Sequence, residues 1–225
     1  MLFEAKFIRV RTVGIMLMAA LSCQAQETEI TTDSRYVHSF GIRGTFDLNI
    51  PGKWTSTDKN AVDSDNFGYG LAAGVVYNIM RDRHWFLESG LQFSYNEFGI
   101  NILTDGYYAD SRISKYDIII PLNAGYQFDL FDKMRMNVMT GVEGTICLGG
   151  SISNMTDYSL FGSHGIWRRG DLKWGVGAGF VWNDISINVM SYFGLINQLK
   201  QKDLSLASVI NENVVRVSLT YYYRL

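Results

Sequence analysis

Apolar and polar residues alternate with a period of two over most of the chain beyond residue 37. In the first run, Phe40, Ile42 and Phe46 fall on one face, and Arg43 and Asp47 fall on the other. Such alternation indicates a β-strand with one apolar and one polar face. The pattern recurs in further runs near residues 70–79, 85–96, 117–128, 134–148, 172–180, 185–193 and 215–224. The sequence therefore predicts about eight strands of roughly 10–15 residues.

The connections between these runs alternate in length. Long polar connections lie at 51–66, 99–112, 150–170 and 196–211. Short joints lie near 80–84, 129–133 and 182–184. Short turns at one end and long loops at the other are typical of outer-membrane barrels. We predict an all-β fold, an eight-stranded antiparallel up-and-down transmembrane β-barrel over residues 37–225, with both termini in the periplasm.

A soluble lipocalin-like carrier is the alternative fold, because it also alternates but turns its apolar face inward. Two features favour the membrane barrel. The polar face is rich in glycine, for example Gly74 and Gly177, which suits a narrow lumen better than a solvated surface. Aromatic residues also gather near the short turns, as in an interfacial girdle. The predicted girdle is Tyr77, Trp85, Tyr126, Phe128, Phe180, Trp182, Tyr221 and Tyr223.

Residues 1–25 have the organisation of a secretory signal peptide. A basic stretch ending at Arg11 precedes a short apolar run over 12–22, and a small-x-small pattern ends at Ala25. This run is shorter than the roughly 18 apolar residues of a membrane helix. We expect cleavage after Ala25, with lipidation of Cys23 as the alternative. Residues 26–36 are then expected to form an N-terminal periplasmic segment.

Composition agrees with this location. The net charge is −2, so no basic surface is expected to bind nucleic acid. Mean hydropathy is +0.00, as expected when an apolar lipid face and a polar lumen face cancel. The chain has two cysteines, Cys23 and Cys147, so loss of Cys23 with the signal peptide would leave no internal disulfide.

Pro121 is unusual inside a predicted strand, because proline cannot donate a ladder hydrogen bond, and we expect a local bulge there. The sequence around it, Tyr116-Asp-Ile-Ile-Ile-Pro-Leu-Asn-Ala-Gly-Tyr-Gln-Phe128, resembles a strand of the PorT-like outer-membrane β-barrel family. The stretch from Tyr192 to Asn197 and the tyrosine-rich final strand resemble that family as well. The resemblance implies a small Gram-negative outer-membrane barrel in which this proline is tolerated. The name-giving member of that family is linked to protein secretion, and the resemblance does not imply that role for this chain.

The polar face carries charges of both signs that would share one lumen. Because unpaired buried charges are costly, we expect ion pairs that form a structural plug, with a narrow polar path as the alternative. The predicted cluster is Arg43, Asp47, Glu88, Asp117, Arg135, Glu143, Lys173, Arg216 and Arg224.

No catalytic, cofactor-binding or metal site is predicted. An enzyme of this kind would need a nucleophile and a base within hydrogen-bond reach, and no histidine falls on the lumen face near midspan. His38, His84 and His164 lack the spacing of metal ligands. The glycine runs continue as strands, whereas a nucleotide loop needs a strand–turn–helix context.

We therefore predict a non-enzymatic membrane scaffold that displays loops for envelope or surface interaction, with a narrow polar channel as the alternative. No cofactor is expected. The expected partners are outer-membrane lipid, the barrel-assembly machinery during insertion, and a surface or envelope protein. Aromatic residues of the predicted loops are expected either to pack on one another or to contact a partner. These are Trp54, Tyr107, Tyr108, Tyr158, Phe161 and Trp167.

Overall fold

A computed structural model describes residues 36–51, 62–63, 67–104, 107–153, 160–162, 165, 167–198 and 211–225. The proposed signal peptide and the segment before Tyr36 lie outside these residues. The strands are β1 (Tyr36–Pro51), β2 (Val62–Asp63), β3 (Gly68–Arg81), β4 (Trp85–Thr104), β5 (Tyr107–Phe131), β6 (Met134–Ile152), β7 (Gly170–Trp182), β8 (Ile185–Gly194) and β9 (Glu212–Arg224). Among the described residues, no helix is long and apolar enough to cross a membrane.

Eight of these strands form a closed antiparallel ring. Each long strand pairs with the next along the chain, from β1 through β3 to β9. The ring closes where β1 pairs with β9, from Ser39 opposite Arg224 to Pro51 opposite Glu212. The two-residue β2 adds to β4 opposite Asn101 and Ile102. The predicted eight-stranded up-and-down barrel is confirmed.

The short connections lie together at one end, here called the short-turn end. They are 82–84, 132–133 and 183–184. Asp82, Arg83 and Asn183 have positive φ angles of 52°, 63° and 53°. Asp and Asn tolerate this conformation in tight turns because their short side chains hydrogen-bond locally. The opposite end, which carries the longer connections, is called the long-loop end.

The predicted loop at 99–112 is wrong. β4 and β5 continue pairing through this region, and the ladder extends from Gly99 opposite Arg112 to Thr104 opposite Tyr107. The connection is only the Asp-Gly dipeptide at 105–106, a sequence favoured in tight hairpin turns. These strands are therefore longer than predicted, with 20 residues in β4 and 25 in β5.

The two faces of the ring differ in polarity as predicted. Large apolar side chains point outward, and Leu71, for example, exposes 61% of its surface. Polar side chains on alternate positions point inward and are buried. A soluble barrel would have the opposite arrangement, because its apolar face would line the interior. The structure therefore does not support the lipocalin-like alternative.

Inward-facing glycines allow the paired strand and its side chains to lie close to the backbone inside the ring. A Cβ on Gly74 would lie 2.1 Å from the carbonyl oxygen of Leu91, and one on Gly177 would lie 2.2 Å from that of Val189. Both distances are far below van der Waals contact. A side chain at either position would force the backbone to move, which fits the small-lumen interpretation.

The bulge predicted at Pro121 is not found there. The β4–β5 register is the same before and after the proline, with Ser89 opposite Leu122 and Gln92 opposite Ile119, but the intervening pairs are missing. Register shifts on the β6 side instead occur at 116/117 and 129/131. The Ser89 hydroxyl donates to the Pro121 carbonyl oxygen at 3.0 Å. A local interruption of the ladder therefore accommodates the missing N–H.

Candidate functional site

The barrel interior is the candidate site, because strand alternation directs the charged residues into it. Seven of the nine predicted lumen charges are buried. They are Arg43, Asp47, Glu88, Asp117, Glu143, Lys173 and Arg216. The other two, Arg135 and Arg224, lie at strand ends near the short turns. Arg135 is half-buried, and Arg224 is exposed and forms an ion pair with Asp184 at 3.3 Å. They line the mouth of the barrel and lie outside the buried ion-pair network, because alternation gives the face of a residue but not its depth.

One ion-pair cluster centres on Arg43 of β1 and Glu88 of β4. The guanidinium donates to both carboxylate oxygens at 2.7 Å, and its Nε donates to Thr220 at 2.7 Å. The Tyr222 hydroxyl donates to Glu88, and Asn123 donates to the same carboxylate at 3.5 Å. Two-point guanidinium–carboxylate contact fixes both orientation and distance. The cluster therefore joins strands that are not neighbours in the ring.

A second cluster centres on Arg216 of β9. Its guanidinium donates to both oxygens of Asp47 at 2.7 and 2.8 Å, and it also forms an ion pair with Glu143 of β6. The ring of Tyr192 lies 5.1 Å from the guanidinium carbon, within the range of a cation–π contact. Arg216 thus connects β1 with β6 through the middle of the barrel.

A third cluster lies toward the long-loop end and contains two lysines. Lys115 contacts both oxygens of Glu212 at 2.6 Å and lies 3.6 Å from Asp117. Lys173 lies 3.0 Å from Asp171 and 3.8 Å from Glu212. Lys173 is also 3.9 Å from Glu143, which belongs to the second cluster. The second and third clusters therefore form one continuous network.

Sequence reasoning missed three members of this network, Lys115, Asp171 and Glu212. Each lies on the inward face at the long-loop end of its strand. Continuing the alternation from Asp117, Lys173 and Arg216 toward the loops would have found them. Their omission followed from starting the predicted strands too late.

The described interior holds more acids than bases. The buried cations are the arginines 43 and 216 and the lysines 115 and 173, whereas six acidic residues are buried with them. The acids are Asp47, Glu88, Asp117, Glu143, Asp171 and Glu212. Each acid lies within ion-pair distance of at least one of these cations. Buried charges held in pairs resist separation, because either partner alone would be an uncompensated charge.

The described residues do not show a metal site or a paired catalytic histidine. No group of three or more His, Cys, Asp or Glu residues in this part of the chain is arranged to hold a metal ion. His38 contacts the Tyr77 hydroxyl at 2.7 Å, and His84 contacts the Gln127 carbonyl oxygen at 3.0 Å. Both lie near the short-turn end. His164 lies outside the described residues.

An apolar cap lies over the polar network at the long-loop end. Trp167 is 1% exposed, and its ring centroid lies 5.8 Å from that of Phe98. Leu160 and Ile113 are also buried. The backbone N–H of Trp167 donates to the backbone carbonyl oxygen of Leu160 at 3.0 Å, which fixes the segment locally. Trp167 thus packs against Phe98 of β4, which is not one of the predicted loop aromatics.

The other predicted loop aromatics have different surroundings. Phe161 is half-buried and lies 4.7 Å from the guanidinium carbon of Arg169. Tyr107 and Tyr108 belong to β5 and not to a loop. Trp54 and Tyr158 lie outside the described residues. The expectation that the loop aromatics pack on one another therefore stays a prediction.

The short-turn end contains an open cavity of about 790 Å³, here called the short-turn vestibule. Its inner side is formed by Asn78, Gln127 and Tyr222, and Tyr222 separates it from the Arg43–Glu88 pair. Its outer rim carries charged residues from the turns and strand ends. These are Arg83, Asp129, Asp132, Lys133, Arg135, Asp184 and Arg224. Among the residues that the structure describes, the interior is thus capped at the long-loop end and open at the short-turn end.

The predicted aromatic girdle surrounds the same end on the outer surface. Trp85 and Trp182 are each 62% exposed. Trp85 makes an edge contact with Tyr126 at 4.9 Å, and Tyr126 makes another with Phe128 at 4.8 Å. The remaining members, Tyr77, Phe180, Tyr221 and Tyr223, are also exposed. Outward aromatics at one level of a barrel suit the boundary between hydrocarbon and headgroups.

The closed ring, apolar exterior and polar interior define an outer-membrane type of β-barrel. Residues 24–200 match the family described as outer membrane protein beta-barrel domain. The chain belongs to that family. A comparison with curated proteins gave no match.

Solved structures with a similar fold are small bacterial barrels. Neisserial surface protein A is 9% identical, with a TM-score of 0.46, over 82% of this chain and 97% of that one. OprG of Pseudomonas aeruginosa is 12% identical, with a TM-score of 0.46, over 82% and 95%. Ail, the attachment invasion locus protein of Yersinia pestis, is 15% identical, with a TM-score of 0.39, over 85% and 100%. All three TM-scores lie below 0.5, so these likenesses carry no argument about this chain.

Proposed function

We propose that this protein is a non-enzymatic outer-membrane scaffold that presents its long-loop end to the cell exterior. In this orientation the short turns and both termini face the periplasm. The long connections at 52–67, 153–169 and 195–211 would then be the segments that meet partners outside the cell. Outer-membrane barrels commonly have this arrangement of short periplasmic turns and longer external loops.

The observation that carries the proposal is the position of Arg216. Its contacts with Asp47 and Glu143 place a paired guanidinium across the centre of the lumen. Eight-stranded barrels have room mainly for side chains, so such a network fills space that solute would need. The Trp167 cap lies above it. A filled and capped interior favours a scaffold over a pore.

The same contacts support a non-enzymatic role. Glu88 and Glu143 are the acids that could be considered for catalysis, and both are buried against guanidinium groups. A general base needs access to substrate, and these carboxylates are reached only by disrupting ion pairs. Both carboxylates therefore act as ion-pair partners that connect strands of the barrel.

Membrane fractionation tests the proposed location. The protein should sediment with outer membranes, and its unboiled form should migrate differently from its boiled form on a gel. Recovery in the soluble periplasmic fraction, with the same mobility before and after boiling, would contradict the proposal.

Epitope insertion tests the proposed orientation. A tag placed within 199–210 should be detected on intact cells, whereas the same tag between Asp132 and Lys133 should be detected only after the outer membrane is opened. The second insertion is the matched control for folding, provided that both proteins keep heat-modifiable mobility. The reverse labelling pattern would overturn the orientation.

Loop replacement tests the interaction role. Residues 154–159 and 199–210 would be exchanged for Gly-Ser segments of equal length, and envelope proteins would be cross-linked to both forms in cells. A partner captured by the native loops and lost from the folded variant would support the scaffold. Identical capture by both forms would contradict it.

A narrow polar channel is the second candidate, and the short-turn vestibule favours it. The vestibule leads to Tyr222, and charged side chains line the interior beyond it. Conduction would require the cap and the ion pairs to move. Planar-bilayer recordings of the native protein should show no steady conductance if the scaffold proposal is correct. Reproducible single-channel steps would favour the channel.

We also propose that the protein is PorT-like within the outer-membrane β-barrel family. This proposal is supported by the residues around Pro121 and by the final tyrosine-rich strand. It adds a narrower family assignment and no further activity.

A further inference from the structure

We propose that the short-turn vestibule is a binding site for a small organic oxyanion with an apolar body, anchored by the Arg135 guanidinium. Its volume of about 790 Å³ lies in the range of small-molecule sites. The site lies outside the ion-pair network that the scaffold role uses. The chemistry of its rim and wall carries the proposal.

Arg135 has no carboxylate within ion-pair distance among the described residues. Its Nη1 lies 3.7 Å from the Met80 sulfur, a weak acceptor. Arg83 and Arg224 repel its charge, whereas Asp129 and Asp184 attract it from a greater distance. A half-buried guanidinium without a close anion retains donors in the fork geometry that matches carboxylate and phosphate.

The other charges of the rim are either compensated or more exposed. Asp184 pairs with Arg224 at 3.3 Å. Asp129, Asp132 and Lys133 are exposed to solvent, as is Arg83. The rim holds four cations and three acids in total. The unpaired charge that lies deepest is therefore positive, so an anion is the favoured occupant.

The apolar wall explains why the ligand should be more than a bare anion. Met80, Val181 and Leu130 supply apolar surface to the cavity. At the inner side, Asn78 and Gln127 are buried and close the cavity toward the barrel interior. The favoured ligand thus combines an oxyanion with an apolar group.

Access to this site comes from the short-turn end. Tyr222 and the Arg43–Glu88 pair lie behind the vestibule. Only the source of the ligand rests on the proposed orientation, under which the ligand would come from the periplasm. Binding to the purified barrel does not depend on that orientation or on the loops.

N-acetyl-phenylalanine is a suitable probe, because it has a carboxylate and an aromatic group. Binding to the full-length barrel in nanodiscs would be measured by calorimetry at low ionic strength. We expect saturable binding with one molecule per barrel. The matched neutral probe, N-acetyl-phenylalanine amide, should bind at least about tenfold more weakly, because it lacks the charge that Arg135 contacts. Equal binding of the two probes would overturn the proposal.

Variants assign the site. Arg135→Gln should weaken binding of N-acetyl-phenylalanine at least about tenfold, and Arg135→Lys should retain part of it, because lysine keeps the charge but not the fork. Arg112→Gln is the control, since Arg112 is exposed and lies away from the vestibule. Its guanidinium forms an ion pair with Glu97 at 3.0 Å. Heat-modifiable mobility checks that each variant is folded. Unchanged binding in folded Arg135→Gln would refute the assignment.

Competing ions separate a built site from general charge attraction. Phenyl phosphate should compete if the site accepts any oxyanion with an apolar body, and its failure would restrict the class to carboxylates. Acetate at the same concentration should not displace the probe. Displacement by acetate, or equal binding of phenethylammonium, would mean an adventitious ion only and would overturn the proposal.

Discussion

Arg216 of β9 reaches Glu143 of β6 across the barrel interior, although β8 and β7 separate these strands in the ring. The same guanidinium holds Asp47 on the neighbouring β1 at 2.7 Å. The Arg216 side chain therefore joins β1, β6 and β9 through the interior. Backbone hydrogen bonds connect β6 to the other two strands only by way of the strands between them in the wall. The stability of this arrangement can be tested directly.

Replacing Arg216 with methionine should destabilise the barrel by about 3–5 kcal/mol, because Asp47 and Glu143 would keep their buried charges and lose the guanidinium. The free energy of unfolding would be measured by urea titration in phospholipid vesicles. Arg112→Gln removes a guanidinium that is exposed to solvent and should cost less than about 1 kcal/mol. Similar costs for both variants would show that the central pair is not special.

Tyr222→Phe should cost about 1.5–3 kcal/mol, because Glu88 loses a donated hydrogen bond to its charged group. The neighbouring Tyr221 points outward, so Tyr221→Phe is a matched control with little expected change. Urea titration of the two variants compares one hydroxyl inside the barrel with one outside. A larger loss in Tyr221→Phe would contradict the assigned faces.

Gly74→Ala should destabilise the barrel by about 1–3 kcal/mol or prevent folding, since its Cβ would overlap the Leu91 carbonyl oxygen. Gly44 provides the control, because a Cβ there meets no atom within 4 Å. The two glycines lie on paired strands at almost the same level. The fraction that refolds into vesicles, read from heat-modifiable mobility, should fall for Gly74→Ala alone.

Trp167→Ala should open the cap and expose the buried thiol of Cys147 to reagents from the long-loop end. In a Cys23→Ser background, the rate of maleimide labelling of the folded barrel should rise at least about tenfold, as expected when a local opening becomes favourable. Phe131→Ala, at the opposite end and 75% exposed in the native residue, should leave the rate unchanged. An unchanged rate in Trp167→Ala would mean that the cap does not protect the interior.

Much of the fold was predictable because strand alternation has a short and strict period. Residues such as Arg43 and Glu88 were placed on the lumen face from the sequence, and the outward girdle was placed in the same way. The short turns followed from their polar residues. These features depend on local sequence, which the alternation records directly.

Depth and length were harder to predict. Arg135 shares the inward face with Asn137, yet it lies at the barrel mouth, and nothing in a local pattern tells how far the filled interior extends. The hairpin beyond Gly99 was missed because its polar residues suggested a loop, although Asp-Gly at 105–106 is a hairpin signal. The partners of Arg216 depend on ring closure. Closure brings Arg216 to Glu143, which is 73 positions away in the sequence, and to Asp47, which is 169 positions away.

Ring closure has a consequence for assembly. The seam between β1 and β9 is bridged inside the lumen by Arg216 with Asp47 and by Arg43 with Thr220. Before the first and last strands meet, both guanidinium groups lack part of their partners in a setting with little water to replace them. A half-inserted sheet should therefore be strongly disfavoured relative to the complete ring, so that entry into the membrane and completion of the cylinder occur as one cooperative event.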